Sequence, residues 1–156
     1  TTLTSIAIIC NKIGDVGVSC IAEVLKVKHT LNHINFAYNY IGVDGAAHIA
    51  EALKVNTSLT WLGLEGNSIN DAGVKRLADM LKTNTTLTKL DLGNNKFGDD
   101  GVTDIAEALK VNSTLVDINL KGSFMSKVGA SYIIDVFKEN VTLTSVWLSG
   151  DDNYID

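Results

Sequence analysis

The apolar positions of this chain recur every 28 residues. Leucines at 3, 31, 59, 87, 115 and 143 open six successive units. A fixed period of this length decides the architecture before any local motif does. Within a unit the first, fourth and sixth positions are apolar, as in Leu31, Ile34 and Phe36, Leu59, Leu62 and Leu64, or Leu87, Leu90 and Leu92. The alternation of the fourth and sixth predicts a short strand with one buried face. The third, fifth and seventh positions then face solvent. The second half of a unit carries Val18, Ile21, Ala22 and Leu25, or Val102, Ile105, Ala106 and Leu109. That spacing draws one apolar stripe along a helix.

The polar positions follow the same period. The ninth holds Asn11, Asn39, Asn67 and Asn95, then Ser123 and Asp151. An amide both donates and accepts, so a buried column of them is expected to satisfy backbone groups where the chain leaves the strand, weakening at Ser123 and Asp151. The eleventh is apolar: Ile13, Ile41, Ile69, Phe97 and Met125. Glycine stands at 17, 45, 73, 101 and 129, which predicts a helix start too crowded for a Cβ. Asp15, Asp44, Asp71, Asp99 and Asp100 precede it, and Lys26, Lys54, Lys82, Lys110 and Lys138 sit in the last helical turn, each sign where the helix dipole favours it. Asn56, Asn84, Asn112 and Asn140 close the helices and are expected in the left-handed conformation of a cap. They also spell glycosylation sequons, which their common repeat position explains. The chain has no proline to interrupt a ladder.

One unit cannot offset its own ordering entropy, so units must stack on one another. Strands stack about 4.8 Å apart, whereas helices need about 10 Å. The stack therefore bends with strands inside. The expected fold is an α/β solenoid: a curved right-handed β-α superhelix with a parallel sheet on the concave face and helices on the convex face. It forms one domain over 1–156, with five 28-residue units starting at 3, 31, 59, 87 and 115 and a terminal half-unit over 143–156. Neither end carries a cap, which predicts weak self-association or continuation into further repeats. The start at Thr1, without methionine, suggests a piece of a longer protein.

Composition narrows the function. Thirteen basic against 18 acidic residues leave a net charge of −5 and no basic run, which argues against nucleic acid as a partner. No apolar stretch reaches the roughly 18 residues of a membrane span. Cys10 and Cys20 lack metal-binding spacing and are read as buried reduced thiols, which places the protein in the cytoplasm. His29, His33 and His48 fall on a loop, a strand and a helix. They do not converge, so no metal and no cofactor is expected. Cys10 and His33 lie about 17 Å apart along the strands, and His33 and Asp117 roughly 14 Å apart across them, so neither forms a catalytic pair. The chain is not expected to be an enzyme.

The pattern LxxLxLxxN, followed by a helical half and repeated at 28 residues, resembles the ribonuclease-inhibitor-like class of leucine-rich repeat proteins. The resemblance spans 3–142 fully and 143–151 in part. It departs from ribonuclease inhibitors themselves in having few cysteines. The class includes those inhibitors, NOD-like receptor sensing domains, actin-capping tropomodulins and Ran GTPase-activating proteins. What it implies is a scaffold that binds a partner protein through the concave face or the loops at its rim.

Three outward columns cross the expected sheet. The third strand position gives Ser5, His33, Trp61, Lys89, Asp117 and Ser145. The fifth gives Ala7, Asn35, Gly63, Asp91, Asn119 and Trp147, and the seventh Ile9, Ala37, Glu65, Gly93, Lys121 and Ser149. The candidate protein-binding residues are His33, Asn35, Trp61, Glu65, Lys89, Asp91, Asp117, Asn119, Lys121 and Trp147. Trp61 reads either as an interface anchor or as a ring stacked between His33 and Lys89. Trp147 reads as an anchor, an edge shield, or a ring packed on Tyr154. Lys89 and Asp117 are as well placed for a local ion pair as for a partner. The alternative to a scaffold is an actin regulator, or a GTPase-activating protein acting through Lys12, Tyr40, Ser68, Lys96, Phe124, Asn94 and Asn95. The only arginine, Arg76, is on a helix, which weighs against the GTPase reading.

Overall fold

The computed structural model describes residues 2–148. Six three-residue strands alternate with five helices: β1 (Ser5–Ala7), α1 (Gly14–Val27), β2 (His33–Asn35), α2 (Val43–Leu53), β3 (Trp61–Gly63), α3 (Asp71–Leu81), β4 (Lys89–Asp91), α4 (Asp99–Val111), β5 (Asp117–Asn119), α5 (Lys127–Glu139) and β6 (Ser145–Trp147). The strands form one sheet in sequence order. All pairs are parallel, and the register advances by one repeat per strand, so Ser5, His33, Trp61, Lys89, Asp117 and Ser145 stand in a row. Helices fill the other layer, each against its neighbours in sequence. The narrower strand spacing makes the sheet the concave side.

The core lies between the layers and is continuous. The strand residues Ile34, Leu62, Leu90 and Ile118 and the helical residues Val18, Ile49, Leu77, Ile105 and Ile133 belong to one buried cluster. Its ends are open. Leu31, Leu59, Leu87, Leu115 and Leu143 are at most 8% exposed, but Leu3, in the first unit, is 62% exposed. At the other end Ile134 is 53% exposed, whereas its counterparts Ala22, Ala50, Ala78 and Ala106 lie against the next helix and are buried.

Buried amides hold the turns together. Asn67 donates to Leu64 O and to Phe36 O of the preceding unit, and its Oδ1 accepts from Asn39 N and Ile41 N. Asn95 repeats the pattern toward Leu92 O, Leu64 O and Ile69 N. Ser123 keeps a single bond, to Leu120 O. Asn11, in the first unit, is exposed and donates to Ile9 O.

Four expectations change. The asparagines that close the helices are not left-handed: Asn112 has φ −76° and Asn140 φ −81°. They work through their side chains instead. Asn84, for example, donates to Leu53 O of the unit before and accepts from Thr86 N and Leu87 N at the next strand. Asn56, Asn84 and Asn112 are buried, which seals those sequons in the folded chain. Left-handed residues lie elsewhere, mainly at the eighth position, where Cys10, Tyr38, Gly66, Asn94 and Gly122 all have positive φ; Tyr40 and Gly14 add two just beyond it.

Second, both cysteines are exposed, not buried. Cys20 shares its helix position with His48, which faces solvent, and Cys10 occupies the left-handed exit position. Third, Gly63, Gly93 and Ala37 are buried although they sit in outward columns. Neighbouring side chains lie over the two glycines.

Fourth, the aspartates reach across units. Asp71 accepts from Gly98 N and Gly101 N, at the start of the next helix. Asp15 and Asp99 act the same way on Gly42 N and on Ser126 N and Gly129 N. The second unit has Val43 at this position, and α3 is capped from within by Asn70, which accepts from Gly73 N. The invariant glycine fits this picture: a Cβ on Gly101 would come within 2.9 Å of Asp71 Oδ1.

Candidate functional site

The strand backbones fix the outward columns, and their side chains form a connected surface. Trp61 stacks on His33 with ring centroids 4.0 Å apart and planes 7° from parallel. Its indole lies over Gly63, where any Cβ would collide with it. The smallest residue at the fifth position is thus what lets the ring extend along the strand past it. Lys89 Nζ stands 3.8 Å from Asp117 Oδ2. Trp147 Nε1 donates to Asp117 Oδ1 at 3.2 Å, and Lys121 Nζ lies 4.6 Å from the centroid of the Trp147 ring.

Part of the fifth column serves the backbone. Asn35 Oδ1 accepts from Ala37 N, Asp91 Oδ1 from Gly93 N, and Asn119 Oδ1 from Lys121 N, each two residues on. Asn119 also donates to Asp91 Oδ1 at 2.9 Å. The seventh-position Glu65 accepts from Tyr38 Oη of the preceding unit and from Asn94 Nδ2 of the following one. Among the described residues no lysine or arginine forms an ion pair with Glu65 or Asp91. Burial pushes the Asp91 carboxyl above the usual range; the Gly93 amide opposes this, while the charges of Glu65 and Asp117 reinforce it. The hydrogen bond and charge of Glu65 push the Tyr38 phenol up.

These columns leave one shallow depression of about 150 Å³, lined by Trp61, Lys89, Leu90, Asp91, Asp117, Asn119 and Trp147. Six of the ten candidate residues therefore meet around one space. His33 backs it through Trp61 and Lys121 through Trp147. Asn35 and Glu65 stand apart from it, held by Ala37 N and by Tyr38 and Asn94. The Tyr38–Glu65–Asn94 cluster was not visible in the strand columns, because the left-handed eighth position decides where Tyr38 and Asn94 point. Ser149 and Tyr154 lie outside the described residues.

Among the described residues no group of three or more histidines, cysteines and carboxylates is placed to hold a metal ion. Asn95 is buried and spent on backbone carbonyls, whereas the exposed Asn94 gives one amide hydrogen to Glu65. No helix of the described chain is long and apolar enough to cross a membrane.

Comparison with known proteins agrees with this geometry. The family model described as Leucine Rich repeat matches residues 1–22, 55–78 and 83–106. No curated protein matches the sequence. A solved structure of leiomodin-1 actin-binding site 2 is similar at 25% identity, covering 83% of this chain and 78% of that one, with a TM-score of 0.77. The tropomodulin C-terminal domain of Caenorhabditis elegans is similar at 18% identity, covering 88% of this chain and 84% of that one, with a TM-score of 0.75, and speaks to the fold. With the repeat legible in sequence, in register across six strands and matched in solved structures, the chain is a leucine-rich repeat solenoid.

Proposed function

We propose that this chain is a non-catalytic scaffold that binds a partner protein through its concave sheet, and that the partner is actin. The observation that carries the reading is the depression bordered by Trp61 and Trp147. Large aromatic rings beside polar, water-accessible side chains are the usual make-up of an interface anchor and its rim. The choice of actin rests on the likeness to leiomodin-1 actin-binding site 2. We further read the chain as one domain over 1–156, of the ribonuclease-inhibitor-like class, since each of its five complete units pairs a strand with a full helix. Two free thiols fit the cytoplasm.

The test is binding to purified actin, monomeric and filamentous, by wild type and Trp61→Ala. The reading expects wild type to bind and the variant to lose about 2 kcal/mol or more, as truncated hot spots do. Wild-type protein that binds neither form removes actin as the partner. A variant that binds as tightly as wild type moves the surface away from the concave face. The GTPase alternative has weaker support, because Asn95 is buried on backbone carbonyls and the only arginine, Arg76, lies on α3. A GTP-hydrolysis assay with small GTPases separates it.

A further inference from the structure

We propose that the depression between Trp61 and Trp147 receives one arginine side chain of the partner protein, its guanidinium held between the two indoles and over the carboxylates of Asp91 and Asp117. The inference rests on the concave-face reading above and names the chemistry of the group that enters.

Size comes first. The Trp61 indole lies over Gly63 on β3, and the Trp147 indole is tied to Asp117 on β5. Their strands are three spacings or roughly 14 Å apart, but the bond to Asp117 draws the Trp147 side chain inward, and both rings line the depression over β4. A cation is attracted to a ring whose centroid is within about 6 Å, so one group between the two can engage both. The volume of about 150 Å³ suits a side chain and excludes a helix or an added strand.

Charge comes second. The chain already places its own cations on this surface. Lys121 sits over the Trp147 ring, and Lys89 stands beside Asp117 at 3.8 Å, near the outer limit of an ion pair. Asp91 has no such neighbour among the described residues. Its backbone duty does not need a charge, because Asn35 and Asn119 make the same bond at the same repeat position. A carboxylate here gives the fold nothing that an amide would not. It does give the depression an uncompensated negative charge between two aromatic walls. An acidic occupant would be repelled by Asp91 and Asp117, and a neutral one would leave Asp91 without a counter-charge. Arginine fits better than lysine because its planar group stacks on indole and meets carboxylates with paired donors.

The experiment titrates the whole chain with the peptide acetyl-Gly-Ser-Arg-Ser-Gly-amide and with its twin carrying citrulline, the neutral isostere, in place of arginine. The readout is the pair of indole Nε1–H signals in NMR. The expected result is that the arginine peptide shifts both signals and binds about tenfold or more tighter than the citrulline peptide. In Asp91→Asn the arginine peptide should fall to the citrulline level while the free indole signals stay in place, which shows that the fold is kept. Three results overturn the proposal: equal binding of both peptides, arginine preference unchanged in Asp91→Asn, or no shift of either indole at saturation. Should any of these occur while Trp61→Ala still loses actin, the arginine slot falls and the concave-face reading stands. Should the arginine preference hold while wild type ignores actin, the slot stands and the choice of actin falls.

Discussion

At the scale of single residues, Trp61 and Leu62 separate binding from folding. They are adjacent on β3 and point to opposite faces: Leu62 is fully buried, whereas Trp61 is partly exposed and rests on His33 and Gly63. Leu62→Ala should cost roughly 2–5 kcal/mol of stability through the cavity it leaves. Trp61→Ala should cost far less, since it removes a surface stack. Urea denaturation of both variants checks this, and the reverse order would mean that the strand register is wrong. Asp91 gives a pH test. Its carboxyl is pushed up in the folded chain, chiefly by burial, so the folded state binds its proton more tightly than the unfolded one. Stability from this group is complete below the ordinary carboxylate range and is lost as pH rises through the raised value. Asp91→Asn removes that loss and keeps the bond to Gly93 N. The variant should gain on wild type at neutral pH and show no such gain below about pH 3, where Asp91 is protonated in both states. Asp99, held low by the Ser126 hydroxyl and backbone, works in the opposite direction, with stability lost as pH falls. For that reason the difference between variant and wild type, and not either curve alone, is the quantity to measure.

At the scale of elements, the account turns on which polar groups bridge neighbouring units. Asn67 bonds five backbone groups, two of them the donors Asn39 N and Ile41 N. Asn67→Ala should cost about 3 kcal/mol or more, at roughly 1–3 kcal/mol per buried group left unpaired. Ser123→Ala, which frees only Leu120 O, should cost about 1 kcal/mol. Thermal melts of the pair test the ranking. Asp71→Ala removes the cap of α4 and should cost about 1–2 kcal/mol. The strand columns and the buried ninth-position amides were legible in the sequence, because period and alternation alone place them. The same holds for the crowded glycine at the helix start. The cross-unit action of Asp71 was not, because a carboxylate at a helix N-terminus reads as that helix's own partner until the next unit is set beside it. The left-handed eighth position was hidden by its mixed occupants. Tyr38 and Asn94 mask the Gly66 and Gly122 that would have marked it. Cys20 was misread through its residue type, although its repeat position, shared with His48, already placed it on the solvent face.

At the scale of the whole molecule, stability is a sum over neighbouring units, and among the described residues the first and last units have a neighbour on one side. Leu3 and Val24 at one end, and Ile134 and Phe137 at the other, expose apolar surface that inner units bury. Among the described residues β1 and β6 are the outer strands of the sheet, each paired along one edge. The chain should associate weakly as its concentration rises. Sedimentation velocity should show a concentration-dependent shift that Leu3→Lys with Ile134→Lys suppresses; a monomer at every concentration contradicts this. The depression belongs to this scale as well. It needs β3 through β6 in register, so no single repeat contains it, and the columns could place its residues but not the volume between them. The concave-face claim is tested most directly by the affinity for purified actin of wild type, Trp61→Ala and the helix-face variant His48→Ala, with melts of each. The account predicts that Trp61→Ala weakens binding about thirtyfold, the equivalent of roughly 2 kcal/mol, with an unchanged melting point, and that His48→Ala binds as wild type does. Full affinity in Trp61→Ala with loss in His48→Ala would place the interface on the helices and contradict it.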